Sequence, residues 1–123
     1  MRLFGLELLA AGLLVSISFI PTTAQDRTTL RTLLENPAKY NARTVRVAGT
    51  VIDLESKVSA RSTRYTTFAL LDEGFRVEAF LPAPSLALRR GERVEVLGQF
   101  YLFRNVDEQS FHNVIEVYTF SNR

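Results

Sequence analysis

Along residues 44–54, TVRVAGTVIDL, the positions Val45, Val47, Gly49 and Val51 alternate with Arg46, Ala48 and Thr50. A period of two with one apolar row predicts a long, half-buried β-strand. Gly49 lies inside that row, which predicts a bend or bulge where one strand serves two sheets. Residues 64–71, 75–81, 93–102 and 111–120 read as strands two to five, with a glycine, Gly98, again near the middle of 93–102. Asp72-Glu73-Gly74 supplies a tight turn between the second and third, so these two are expected to pair antiparallel. Residues 82–92, PAPSLALRRGE, form a connection with room for one helical turn between Pro84 and Leu88, ended by Gly91. One segment before the strands has a helical period: DRTTLRTLLENPAKY, 26–40, sets Leu30, Leu33 and Leu34 on one face. Thr28 or Thr29 can cap its first turn, and Asn36-Pro37 stops it because the residue before proline is pushed out of the helical region. This short helix is expected to lie against one end of the β structure.

The first residues change the picture of where the chain acts. Arg2, an apolar run over 3–20 and an exit of Pro21 and small residues have the layout of a secretory signal peptide. Thr22 and Ala24 suit the two pockets of a signal peptidase, so residues 1–24 are read as the leader and 25–123 as one exported, periplasmic domain. The rival reading is a retained N-terminal membrane anchor, since the run approaches spanning length. Glu7 within it and the small-residue exit favour cleavage, after which nothing would insert in a membrane.

Composition narrows the chemistry. The chain has no cysteine, which excludes disulfides, thiolate metal sites and lipid attachment through cysteine. Its 15 Lys and Arg exceed its 13 Asp and Glu by only two, short of the charge density of a dedicated nucleic-acid protein.

Five strands with a short crossover between the third and fourth follow the order of a small closed Greek-key barrel. The stretches NPAKYNARTVRVAGTV, FALLDEGFRVEAFL and LRRGERVEVLGQF moreover resemble the bacterial OB-fold (oligonucleotide/oligosaccharide-binding) pattern, carried here by Leu70, Asp72 and Gly74 and then by Gly91, Glu92, Val94, Val96 and Gly98. The resemblance spans nearly all of 25–123 and implies a mainly β, five-stranded Greek-key OB-fold barrel with a short N-terminal helix. It implies a fold far more than a function, because OB-folds host unrelated ligands.

OB-fold ligands usually lie across strands two and three, flanked by the loops joining strands one and two and strands four and five. SKVSARSTRY, 56–65, is then one of those loops and FRNVDEQS, 103–110, the other. If the second strand buries Phe68 and Leu70, its other face presents Tyr65, Thr67 and Ala69. If the third buries Phe75, Val77 and Ala79, it presents Arg76, Glu78 and Phe80. Lys57, Arg61, Arg64, Tyr65, Thr67, Arg76 and Phe80 are therefore the candidate ligand-binding residues. Rings for base faces and cations for phosphates are what single-stranded nucleic acid needs. Against that, Arg76 with Glu78 and Arg93 with Glu95 alternate in sign as exposed ion pairs do, and Asp107 and Glu108 would repel a polyanion. Two readings result. The first is an exported binding or adaptor module for an envelope protein or glycan, because long nucleic acids are scarce in that compartment. The second is a binder of single-stranded nucleic acid or a nucleotide through the same residues.

Catalysis has little support. The chain lacks a second histidine for a metal cluster, a glycine-rich phosphate loop and a serine elbow. Asp53 and Glu55 are the better carboxylate pair, yet two carboxylates alone make a weak divalent-cation site. Exported OB-fold haem chaperones attach haem through a histidine followed four residues later by a tyrosine; His112 is followed there by Glu116. Neither cofactor nor metal is expected, and the chain is read as non-enzymatic.

Overall fold

A computed structural model describes residues 25–122, so the predicted leader lies outside the described residues. The elements run β1 (Gln25–Arg27), α1 (Leu30–Glu35), α2 (Pro37–Tyr40), β2 (Arg43–Val58), β3 (Arg64–Asp72), β4 (Phe75–Leu81), β5 (Arg93–Val106) and β6 (Gln109–Asn122). Hydrogen-bonded neighbours follow the order β1-β2-β3-β4-β6-β5, and β2 pairs back onto β5. That last pairing closes β2 to β6 into the five-stranded barrel expected of an OB-fold. Every barrel contact is antiparallel except β4 against β6, which meet in parallel at Glu78↔Val114, Ala79↔Ile115 and Phe80↔Glu116.

Alternation in β2 drives the closure. Val45, Val47 and Val51 are at most 1% exposed and point into one core with Phe68, Phe100 and Ile115. β2 pairs with β5 over residues 43–50 and with β3 from residue 50 onward, so Thr50 faces both Leu71 and Arg93. Gly49 sits at this handover, where an added Cβ would lie 3.1 Å from that of Leu70. The bulge itself comes slightly later, between Ile52 and Glu55, with Asp53 at φ 52°. Gly98 serves a closer approach: the register with β6 slips beside it, and a Cβ there would overlap the Glu116 carbonyl oxygen.

The helical segment plugs one end. Thr29 caps α1, its hydroxyl oxygen accepting from the Thr32 amide at 3.1 Å, and Leu30 and Leu33 are fully buried in the core beside Tyr40. Asn36 does end α1, but Pro37 then opens a second turn, α2, because proline's fixed φ suits a first helical position.

The structure corrects the sequence expectations in four places. β1 was not foreseen; it adds a parallel strand to β2 at Thr44–Arg46, too short to show a period. No helical turn forms between Pro84 and Leu88. Leu88 is buried there while Leu86 is 96% exposed, so a turn would gain one apolar contact against the cost of helix nucleation. The loop expected over 56–65 shrinks to 59–63, and that over 103–110 to the two-residue tip Asp107-Glu108 between Val106 and Gln109. Finally, the face of β3 expected to lie open is covered: Tyr65 through Leu70 are all buried. A second small cluster of Phe80, Phe111 and Val114, with Tyr101 and Val106 against it, builds up on this side of the barrel.

Candidate functional site

The two shortened loops frame a groove. Five residues, 59–63, turn the chain from β2 into β3, and Ser59 holds them: its hydroxyl oxygen accepts from the amides of Arg61 at 3.2 Å and Thr63 at 3.1 Å, while its own amide donates to the Thr63 carbonyl at 2.8 Å. Ser62 takes φ 63° to complete the turn. The Ala60 amide donates to Asp107 Oδ1 at 3.4 Å, which ties this loop to the β5–β6 tip. Between them lies a groove of about 430 Å³ whose walls include Arg61, Thr63, Tyr65, Phe80, Pro82 and Asp107.

A second, more polar groove of about 290 Å³ includes Asp53, Glu55, Lys57, Thr67, Arg76 and Glu78, with Phe111 also on its wall. Arg76 donates to Asp53 and, from both Nε and Nη2, to Glu78 at 2.9 and 2.7 Å. The hydrogen bond to Asp53, then that to Glu78, raise the guanidinium pKa above its already high ordinary value. Lys57 pairs with Glu55 at 3.2 Å. The charges of this groove are thus largely satisfied by one another.

The predicted residues separate accordingly. Arg61, Tyr65 and Phe80 come together in the first groove, and Lys57, Thr67 and Arg76 in the second. Arg64 is exposed at the start of β3, opposite Val58, and lines neither. The Arg61 and Arg64 guanidinium groups form no ion pair with the described residues. Tyr65 is 8% exposed and Phe80 3%, so their rings form walls rather than open platforms. Arg93 pairs with Asp72 at 3.1 Å, while Glu95, its expected partner, holds Arg27 at 2.7 Å and Arg46 at 3.4 Å.

Sequence reasoning missed Phe111, whose ring stacks on Phe80, and the wall residues Pro82 and Val106. Phe111 opens the predicted fifth strand, and an aromatic there carries no signal of which strand it will cover. His112 is exposed and meets the edge of Phe103 at 5.1 Å. Among the described residues no group of three or more His, Cys, Asp or Glu could hold a metal ion, and no helix is long and apolar enough to cross a membrane.

The barrel is similar to that in the crystal structure of yeast Stn1 and Ten1, at a TM-score of 0.60 and 11% identity, over 80% of this chain and 63% of that one. The domain is an OB-fold. It is also similar to part of a putative aspartyl-tRNA synthetase from Leishmania major Friedlin, at a TM-score of 0.58 and 14% identity, over 91% of this chain and 23% of that one. The OB-fold domain therefore spans less than two thirds of either chain. No protein-family model matches it, and no curated protein does.

Proposed function

We propose that this OB-fold acts by binding rather than by chemistry, and that its ligand is single-stranded nucleic acid or a nucleotide held in the groove between loop 59–63 and the Asp107-Glu108 tip. One observation carries the reading: Arg61, whose guanidinium forms no ion pair with the described residues, lines the same groove as Tyr65. A cation beside an aromatic ring can take a phosphate and the base attached to it. The likeness to part of a protein named for tRNA supports the same direction.

A salt titration tests it. The purified protein is added to a labelled single-stranded oligonucleotide at low and then physiological salt, beside the triple variant Lys57→Ala, Arg61→Ala, Arg64→Ala. Each phosphate neutralised on a single strand contributes a slope of about −0.7 in log affinity against log salt. Binding that weakens with salt and is lost in the triple variant supports the reading, and no binding at low salt sinks it.

A second reading keeps the site and changes the ligand: an adaptor for an envelope protein or glycan. The paired state of Lys57 and Arg76 and the presence of Asp107 in the groove favour it. Export into the periplasm is part of both proposals and derives from the pattern of residues 1–24. Cell fractionation with N-terminal sequencing checks it: a chain beginning at Gln25 in the periplasm is expected, whereas one beginning at Met1 in the membrane fraction would mean a retained anchor.

A further inference from the structure

The two grooves lie one after the other along β3, and their charges differ. Tyr65 marks the first and Thr67 the second, two residues and so about 7 Å apart on the same face of the strand. Phe80 lines the first and Phe111 the second, and their rings stack on each other.

At the Tyr65 end Arg61 makes no ion pair with the described residues, and Asp107 is the one acid on the wall, for a formal charge of 1 − 1 = 0. At the Thr67 end three carboxylates, Asp53, Glu55 and Glu78, face two cations, Lys57 and Arg76, for a formal charge of 2 − 3 = −1. Both of those cations are already paired. A polyanion entering from the Arg61 end finds a cation and a ring; continuing past Phe80 and Phe111 it meets net negative charge and must break the Arg76 pairs to gain a partner.

We propose, on the basis of the nucleic-acid reading above, that the groove receives the terminus of a single strand and not a strand running through it. The occupied length is about two or three nucleotides, below the roughly four to sixteen usual for one OB-fold. Asp53, Glu55 and Glu78 act as the stop. Recognition of this kind favours free ends and short oligonucleotides over long or closed strands.

Titration calorimetry of the full chain at low salt, with unlabelled oligothymidylates of one, two, four and twelve nucleotides and a circular single strand, tests this. Affinity is expected to rise up to two or four nucleotides and then stay level within about twofold, with the circle about tenfold weaker. In the Asp53→Asn, Glu78→Gln variant, Arg76 loses both partners. The twelve-nucleotide ligand should then gain affinity over the two-nucleotide one, and its salt slope should steepen by about 0.7. Wild-type affinity that keeps climbing from two to twelve nucleotides, or a circle bound as tightly as a linear strand, overturns end recognition while leaving nucleic-acid binding intact. No binding by any oligonucleotide overturns both.

Discussion

The rings of Phe80 and Phe111 stack with centroids 6.2 Å apart and planes inclined by 24°, joining β4 to β6 next to their parallel contact. Both are buried, so the pair is a small second core beneath the candidate site. Phe111→Ala should cost about 3–5 kcal/mol, the usual price of truncating a buried phenylalanine. A urea melt measures it; a loss below about 1 kcal/mol would mean the pair lies loosely on the barrel.

Gly98→Ala should destabilise through steric contact. Its Cβ would run into the Glu116 carbonyl and the Ile115 side chain, and neither belongs to a flexible side-chain end. Overpacking of this kind costs about 1–3 kcal/mol. Gly74 gives the contrast, since nothing lies within 4 Å of an added Cβ and only its φ of 84° opposes alanine. Gly74→Ala should cost about 1 kcal/mol from strain, and equal losses in the two variants would refute the steric account.

Arg76→Gln is expected to change stability little. The Arg76 side chain is 43% exposed, and pairs between exposed charges contribute about 0–1 kcal/mol. Thermal melting at low and high salt should differ from wild type by no more than a few degrees. A collapse of the fold would show that the Asp53–Arg76–Glu78 cluster holds the β2 bulge in place.

Tyr118 predicts a pH dependence. Partial burial, then the neighbouring Tyr101 and Glu116, raise its phenol pKa above the ordinary 10.0. The folded state therefore keeps a proton that the unfolded state gives up. Stability is unaffected below the unfolded value and falls as pH rises from there through the folded one. Tyr118→Phe should flatten that fall, and in an ultraviolet titration of the four tyrosines the late-ionising component should vanish. If the late component persists in the variant, it belongs to another ring.

Much of the barrel was legible because alternation has a single physical cause. Val45, Val47 and Val51 had to share a face whatever they packed against, and Asp72-Glu73-Gly74 had to turn: Glu73 and Gly74 take φ 53° and 84° in a two-residue hairpin. The outer arms escaped notice for the converse reason. Ser56, Lys57 and Asn105 are polar, so the continuation of β2 and β5 beyond the barrel leaves no period to read.

By itself the sequence determined the strands and the capped helix, because these follow from local periodicity and turn chemistry; the side on which a ligand would be sought came from the resemblance to the OB-fold. Tertiary structure decided which cations are spent and which remain. The pairing of Arg76 with Glu78, two residues along the same strand, was already implied by their alternation, but only the bulge at Asp53 brings Arg76 a second carboxylate from another strand, while Arg61 is left without one among the described residues. It also decided that Tyr65 and Phe80 became groove walls, since Phe111 reaches Phe80 only through the parallel pairing of β4 with β6. Contacts between residues far apart in the chain depend on where the strands meet, and no local pattern encodes that.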